Sequence, residues 1–222
     1  NKGGDYRKWY GNNEYVVNWE NDGQDIRNYK PSVIRNSSYY FRSGITWSFV
    51  SSRNFGARYC SKGFLFDVGG STVFPDEKYI YYLTALLCSK LTLEFLKIQN
   101  PTLNFQVGNI ANIPVIIIKD KEKQEYIDIK SKECILIEKI DWDSFETSWD
   151  FQIHPLLAYK GVSEMIEQSY NNWLSYTETL FSKLKINEEE LNRIFIEIYD
   201  LQDELTPDIE DKDITIRKAD RV

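Results

Sequence analysis

The chain is poor in the residues from which most catalytic and metal centres are built. Its 222 residues include one histidine, three cysteines and one methionine. A lone His154 excludes a zinc site with two or three histidine ligands, and with it a HExxH metalloprotease. A Ser-His-Asp triad would rest on the same residue, and no GxSxG elbow accompanies it. Set between Ile153 and Pro155, His154 reads as a loop or packing residue. Cys60, Cys88 and Cys134 form no CxxC pair, and their odd number argues against a disulfide framework. Cys88 in Leu86-Leu87-Cys88 reads as a small buried hydrophobe, which points to a reducing, hence cytoplasmic, compartment. Neither a GxxxxGKS/T phosphate loop nor a GxGxxG fingerprint occurs, and Gly69-Gly70-Ser71 has the spacing of neither. No apolar run approaches the roughly 18 residues of a membrane span. The start, Asn1-Lys2-Gly3-Gly4-Asp5, is polar and unlike a signal peptide. A chain that begins without Met and ends in a charged segment is expected to be a piece of a longer protein.

What is present is a globular composition, 42% hydrophobic and 27% charged, with 15% aromatic residues. The formal net charge of −7 argues against a polyanionic partner until its distribution is considered. Residues 1–111 hold 13 Lys/Arg against 9 Asp/Glu, a balance of +4, whereas residues 112–222 hold 14 against 25, a balance of −11. The two halves present different surfaces.

The first half predicts short strands between turn signals. Tyr39-Tyr40-Phe41, Ile45–Val50 and Gly63–Val68 alternate or cluster apolar residues, and Ser43-Gly44, Asn54-Phe55-Gly56 and Gly69-Gly70 break them. Asp76 after Pro75 opens a helix that is apolar nearly all round from Tyr79 to Ile98, so it is expected to be central and buried; Asn100-Pro101 ends it. Residues 113–118 read as a buried strand. The charge run Lys119–Lys123 suggests a solvated hairpin tip or linker. Two amphipathic helices follow, carrying Ile166 to Leu184 and Leu191 to Leu205. Asn187 and Glu190 form a capping pattern between them. The expected fold is α+β: an irregular, mostly antiparallel, β-rich domain with a buried helix at 1–118, a charged hairpin or linker at 119–142, and a helical hairpin or spacer at 143–222.

Basic and aromatic residues concentrate at the N-terminal end. Residues 1–63 hold ten Lys/Arg and five Asp/Glu, interleaved with Tyr and Trp. Such residues neutralise phosphates and contact base edges, and they work best on loops held by a rigid scaffold. The DNA-binding candidates are Lys2, Arg7, Lys8, Trp9, Tyr10, Asn12, Arg42, Arg53 and Arg58. Trp47 and Phe49, at strand spacing, read as core. The carboxylate pairs of the acidic half read as solvated helix faces, and no catalytic, cofactor-binding or metal-ligating residue is assigned.

Three runs carry a family resemblance: Lys2-Gly3-Gly4-Asp5-Tyr6-Arg7-Lys8-Trp9-Tyr10-Gly11-Asn12, Phe41-Arg42-Ser43-Gly44-Ile45-Thr46-Trp47-Ser48, and Asn100 through Ile110 into Ile113-Pro114-Val115. Asn187 through Phe195 and Leu201 through Leu205 add to them. Together they resemble the C-terminal half of PglX-like adenine-specific DNA methyltransferases of BREX phage-defence systems, which are similar to type II-G restriction–modification enzymes. The resemblance implies a target-recognition role on double-stranded DNA. The methylation itself would fall to an S-adenosylmethionine-dependent catalytic domain of the same parent chain. That domain's glycine-rich cofactor motif and its Asn-Pro-Pro-Tyr/Phe motif, which grips a flipped adenine, have no counterpart here. Asn100-Pro101-Thr102-Leu103 lacks the second proline and the aromatic, so no catalytic role is carried over to it. Gly108-Asn109-Ile110-Ala111-Asn112-Ile113-Pro114 also resembles the strand that closes recognition domains in type I specificity subunits. The alternative is a protein-interaction module, in which the acidic helical half docks the catalytic domain, another defence subunit or a DNA-mimicking phage inhibitor. An exposed apolar stripe along 164–205 would mark that role.

Overall fold

The computed structural model describes residues 1–51, 53–100, 102–161 and 165–216. Of these residues 48% are helical and 6% are in strands, so the expectation of a β-rich domain is overturned. The elements in chain order begin with α1 (Glu20–Asn28), whose Asn21, Asp22 and Gly23 are left-handed, then β1 (Gly44–Trp47), β2 (Ala57–Cys60) and β3 (Thr72–Val73). They continue with α2 (Ile80–Cys88), α3 (Lys90–Gln99), α4 (Val107–Ala111), α5 (Lys121–Asp143), α6 (Pro155–Ala158) and α7 (Ile166–Ile198).

The sheet is small, antiparallel and ordered β2-β1-β3, with Gly44 opposite Cys60 and Ile45 opposite Val73. β1 is buried on both faces. Ile45 and Trp47 enter the core, and the Thr46 hydroxyl donates to the Ser71 carbonyl at 3.0 Å. Trp9 adds a parallel bridge to Arg58 on the β2 side. The remaining aromatic runs are not strands. Ser37–Tyr39 form a 3-10 turn behind left-handed Asn36, and Phe41 has φ 64°. The density of Tyr and Phe that suggested strands reflects packed irregular loops. Phe66, for example, sits 5.3 Å edge-on from Tyr40 and 5.2 Å from Phe74.

α2 covers the sheet, α5 packs on α2, and α7 packs on α5. The buried helix expected over 79–98 is two helices, because Ser89 takes an extended ψ of 156° and caps α3 by accepting from the Thr92 amide. Residues 113–118 join no strand. Two tyrosines hold this segment instead: Tyr82 donates to the Ile116 carbonyl at 2.6 Å, and Tyr199 donates to the Pro114 carbonyl at 2.6 Å. Gly108–Ala111 lie in helix α4, not in a closing strand.

The charge run at 119–123 starts α5, with Asp120 as N-cap accepting from the Lys123 amide at 3.0 Å. The helix buries Ile127, Ser131, Cys134, Glu138 and Asp141, a three-four spacing that forms one face. α7 is a single helix of 33 residues and not a hairpin. Asn187 does not cap. It is buried in the helix interior, where its side chain donates to Glu133 at 2.9 Å and accepts from Lys130 at 3.0 Å, both on α5. With Asn187 held from the side and no Gly or Pro nearby, the helix runs through. Phe181, Leu184, Glu188, Leu191 and Phe195 form its buried face toward the common core. His154 caps α6 through Nδ1, which accepts from the Leu156 amide at 3.2 Å. No helix of the described residues is long and apolar enough to cross a membrane.

Candidate nucleic-acid interface

The predicted DNA-binding residues divide into a buried group and a surface group. Arg7, Lys8 and Trp9 belong to the first. The segment that carries them lies along β2: the Trp9 amide donates to Ala57 at 2.7 Å, and the Tyr59 amide donates back to Trp9 at 2.8 Å. That pairing aims the three side chains inward at the helices. Arg7 donates to Glu138 on α5 at 3.1 Å and to Asp141 at 2.9 Å, with its guanidinium 5.0 Å from the Trp142 ring. Lys8 forms an ion pair with Glu188 of α7. Trp9, 1% exposed, donates its indole N–H to the other Glu188 oxygen at 2.6 Å. Thr215 donates its hydroxyl to Glu138 and accepts from the Lys8 amide at 3.3 Å. One polar clamp therefore ties the chain's first ten residues to α5, α7 and the segment after α7.

Burial opposes the charge on Lys8, but the Glu188 carboxylate overrides it and leaves the ammonium above its ordinary value. Two cations, Arg7 and Lys8, face three acids: Glu138, Asp141 and Glu188. The surplus acid is Glu138, which is fully buried; burial pushes its carboxyl up to about 8 against the pull of Arg7. The folded protein thus holds this proton more tightly than an unfolded chain, whose carboxyl titrates near 4.5. The Glu138 contribution to stability is expected to fall as pH rises from about 4.5 to about 8. Urea midpoints across that range should show the decline, and Glu138→Gln should flatten it. An unchanged slope in the variant would assign the decline to another group.

Arg58, on β2 opposite Thr46, is 2% exposed. Its Nη1 donates to Ser48 at 3.4 Å, its Nε has no partner among the described residues, and burial together with Arg7 pushes its pKa down to about 10. Tyr10 lies under the Lys139 ammonium at 5.2 Å, and Asn12, with φ 59°, donates to the Asp5 carbonyl at 2.9 Å. The three buried thiols, Cys60, Cys88 and Cys134, are all pushed up by burial.

Lys2, Arg42 and Arg53 are exposed. Lys2 sits 4.1 Å over the Tyr15 ring, Arg42 sits 5.1 Å over Tyr39, and Arg53 donates to the Lys212 carbonyl at 2.7 Å. Two further exposed cations, Lys30 and Arg35, belong with them. The signal that singles them out is compositional. Residues 26–66 contain Arg27, Lys30, Arg35, Arg42, Arg53, Arg58 and Lys62 but no Asp or Glu. Lys2, Lys30, Arg35 and Arg42 make no ion pair among the described residues.

An adenine-specific methyltransferase PglX from Lacticaseibacillus casei (strain Zhang) is 40% identical over 232 residues, covering 99% of this chain. An adenine-specific methyltransferase BrxX from Escherichia coli O9:H4 (strain HS) is 40% identical over 212 residues, covering 94% of it. This chain is homologous to the PglX/BrxX adenine-specific methyltransferases. It spans about a fifth of the length of these curated relatives, 19% and 17% respectively. No family model matches it.

The family resemblance raises the question of S-adenosylmethionine, and the pair Gly69-Gly70, which packs against the segment of Gly3-Gly4, does not fit that group. A Cβ on Gly69 would stand 2.6 Å from the Lys2 carbonyl, and one on Gly3 would stand 2.3 Å from the Gly69 carbonyl. Gly69 and Gly3 are small because two backbone segments cross there, which leaves no cradle for a nucleoside. Among the described residues no group of three or more His, Cys, Asp or Glu is placed to hold a metal ion. The large apolar residues exposed along 165–198, Met165, Ile166 and Ile186, form no stripe. Ile166 and Ile186 stand about 30 Å apart along the helix axis.

Proposed function

We propose that this chain is the target-recognition part of an adenine-specific DNA methyltransferase of a restriction–modification or BREX-type phage-defence system. In this reading it holds duplex DNA for a catalytic domain elsewhere in the parent protein. The observation that carries the reading is the acid-free stretch 26–66, which displays Lys30, Arg35, Arg42 and Arg53 on loops around the small sheet. The relatives' shared description as adenine-specific methyltransferases supports it. Lys2 and the four loop cations take phosphates and fix register, while exposed Asn36, Ser37, Ser38 and Tyr39 offer polar edges to bases. Arg7, Lys8, Trp9 and Arg58 act indirectly, by holding those loops on the helical layer. S-adenosylmethionine, the flipped adenine and the transfer step belong to the remainder of the parent protein.

Binding of a mixed-sequence DNA duplex across a salt series tests the reading. Affinity is expected to fall log-linearly with salt. Lys30→Gln with Arg35→Gln and Arg42→Gln should weaken binding and reduce the steepness of that fall by up to about three ion equivalents. Absent binding, or binding indifferent to salt, would overturn it.

A further inference from the structure

Behind α7 the chain returns toward the basic half as a strap, residues 206–213, whose sequence Thr-Pro-Asp-Ile-Glu-Asp-Lys-Asp holds four acids and one lysine. It is pinned at both ends. Lys90 donates to the Thr206 carbonyl and Asn192 to the Pro207 carbonyl, each at 3.0 Å. At the far end Arg53 donates to the Lys212 carbonyl at 2.7 Å and Asn54 to Asp213 at 3.3 Å. Ile214 and Ile216 then anchor the chain in the core. Between these ends a cleft of about 410 Å³ opens, lined by Arg53, Lys90 and the Lys97–Glu94 ion pair together with Asp208, Glu210 and Lys212 of the strap. Asp208 and Glu210 are exposed. The Glu210 carboxyl is held below its ordinary range, first by Lys212 and further by Arg53 and Lys90.

The geometry points to strap 206–213 as a built-in competitor of the DNA backbone, its carbonyls occupying a cationic rim that otherwise accepts phosphates and its carboxylates standing beside it. The inference rests on the DNA-binding reading above and adds a site and its control to it. The rim is Arg53 with Lys90, brought together from the loop before β2 and the start of α3. Their donors point at the strap's carbonyl oxygens, which are weaker acceptors than phosphate oxygens. The strap's acids also lower the positive potential that draws a polyanion to this face, an effect that salt screens within about a Debye length.

The test measures affinity of the whole 222-residue chain for a mixed-sequence DNA duplex at low and high salt. Asp208→Asn with Glu210→Gln is expected to bind about tenfold tighter at low salt, and the gain should shrink as salt rises. Glu125→Gln with Glu146→Gln removes the same charge from exposed positions outside the cleft and should gain far less. In a background of Arg53→Gln with Lys90→Gln the strap variant should gain no more than the control pair does. Equal gains in strap and control variants would overturn the strap's role while leaving DNA binding in place. Failure of every form to bind at low salt would overturn the DNA reading and this inference with it.

Discussion

Replacing Glu188 with alanine is expected to destabilise the protein by about 3–5 kcal/mol, the cost of leaving a buried cation without its counter-ion. Glu188 is 2% exposed and serves two donors at once, the Lys8 ammonium and the Trp9 indole N–H. Removing the carboxylate strands both donors in a core that also holds Leu184, Leu191 and Phe195. The loss therefore combines an uncompensated charge with an unsatisfied N–H. Urea unfolding measures it. Lys8→Met with Glu188→Leu is the informative partner: an apolar pair of similar volume should recover most of the loss, because the desolvation cost vanishes with the charges. A Glu188→Ala variant within about 1 kcal/mol of the parent would mean that the clamp does not hold the layers together.

The clamp also shows where a single sequence stops being informative. Lys8 and Glu188 lie 180 positions apart, and nothing in the spacing around either announces the other. Arg7, Lys8, Trp9 and Arg58 have the residue types of a phosphate-binding loop, and composition alone does not say which way they point. Their direction is set by the bridge of Trp9 to Arg58, a tertiary contact. Asn187 misleads for the same reason. An Asn followed three residues later by Glu, as Asn187 is by Glu190, has the form of a capping box, but Asn187 finds its partners on α5. α5 was hidden because its buried face is filled by Ser131, Glu138 and Asp141 as well as Ile127 and Cys134, so its apolar period is diluted. Trp47 as core, Cys88 as a buried hydrophobe and the burial of α2 were legible, since each rests on side chains whose apolar area dictates burial, whereas Phe49, expected in the core beside Trp47, is only half-buried because β1 ends at Trp47. The family runs were legible too, whereas the β-rich fold inferred beside them was not: aromatic loops with left-handed residues at Trp9, Asn12, Asn36 and Phe41 imitate strands in composition without forming a ladder.

The second large effect is expected at Gly56, from a single methyl group. A Cβ there would stand 2.4 Å from the Arg7 carbonyl oxygen and 3.0 Å from its carbon, both backbone atoms that no rotamer change moves aside. Gly56 stands directly before Ala57, whose carbonyl receives the Trp9 amide, so the methyl pushes on the segment that aims Arg7, Lys8 and Trp9. Gly56→Ala should therefore cost at least about 3 kcal/mol, the upper end of ordinary overpacking, because the steric shift also loosens the hydrogen bond to Glu138 and the ion pairs to Asp141 and Glu188. The coupling has a sharper test than the single loss. If the methyl acts through the clamp, Gly56→Ala and Glu188→Ala remove part of the same stabilisation. The double variant should then lose clearly less than the two single losses combined, by about 1 kcal/mol or more. Full additivity would show that Gly56 is needed only for its own close approach. Sub-additivity would place it, with Trp9 and Glu188, in one unit that fixes the basic half of the chain to its acidic half.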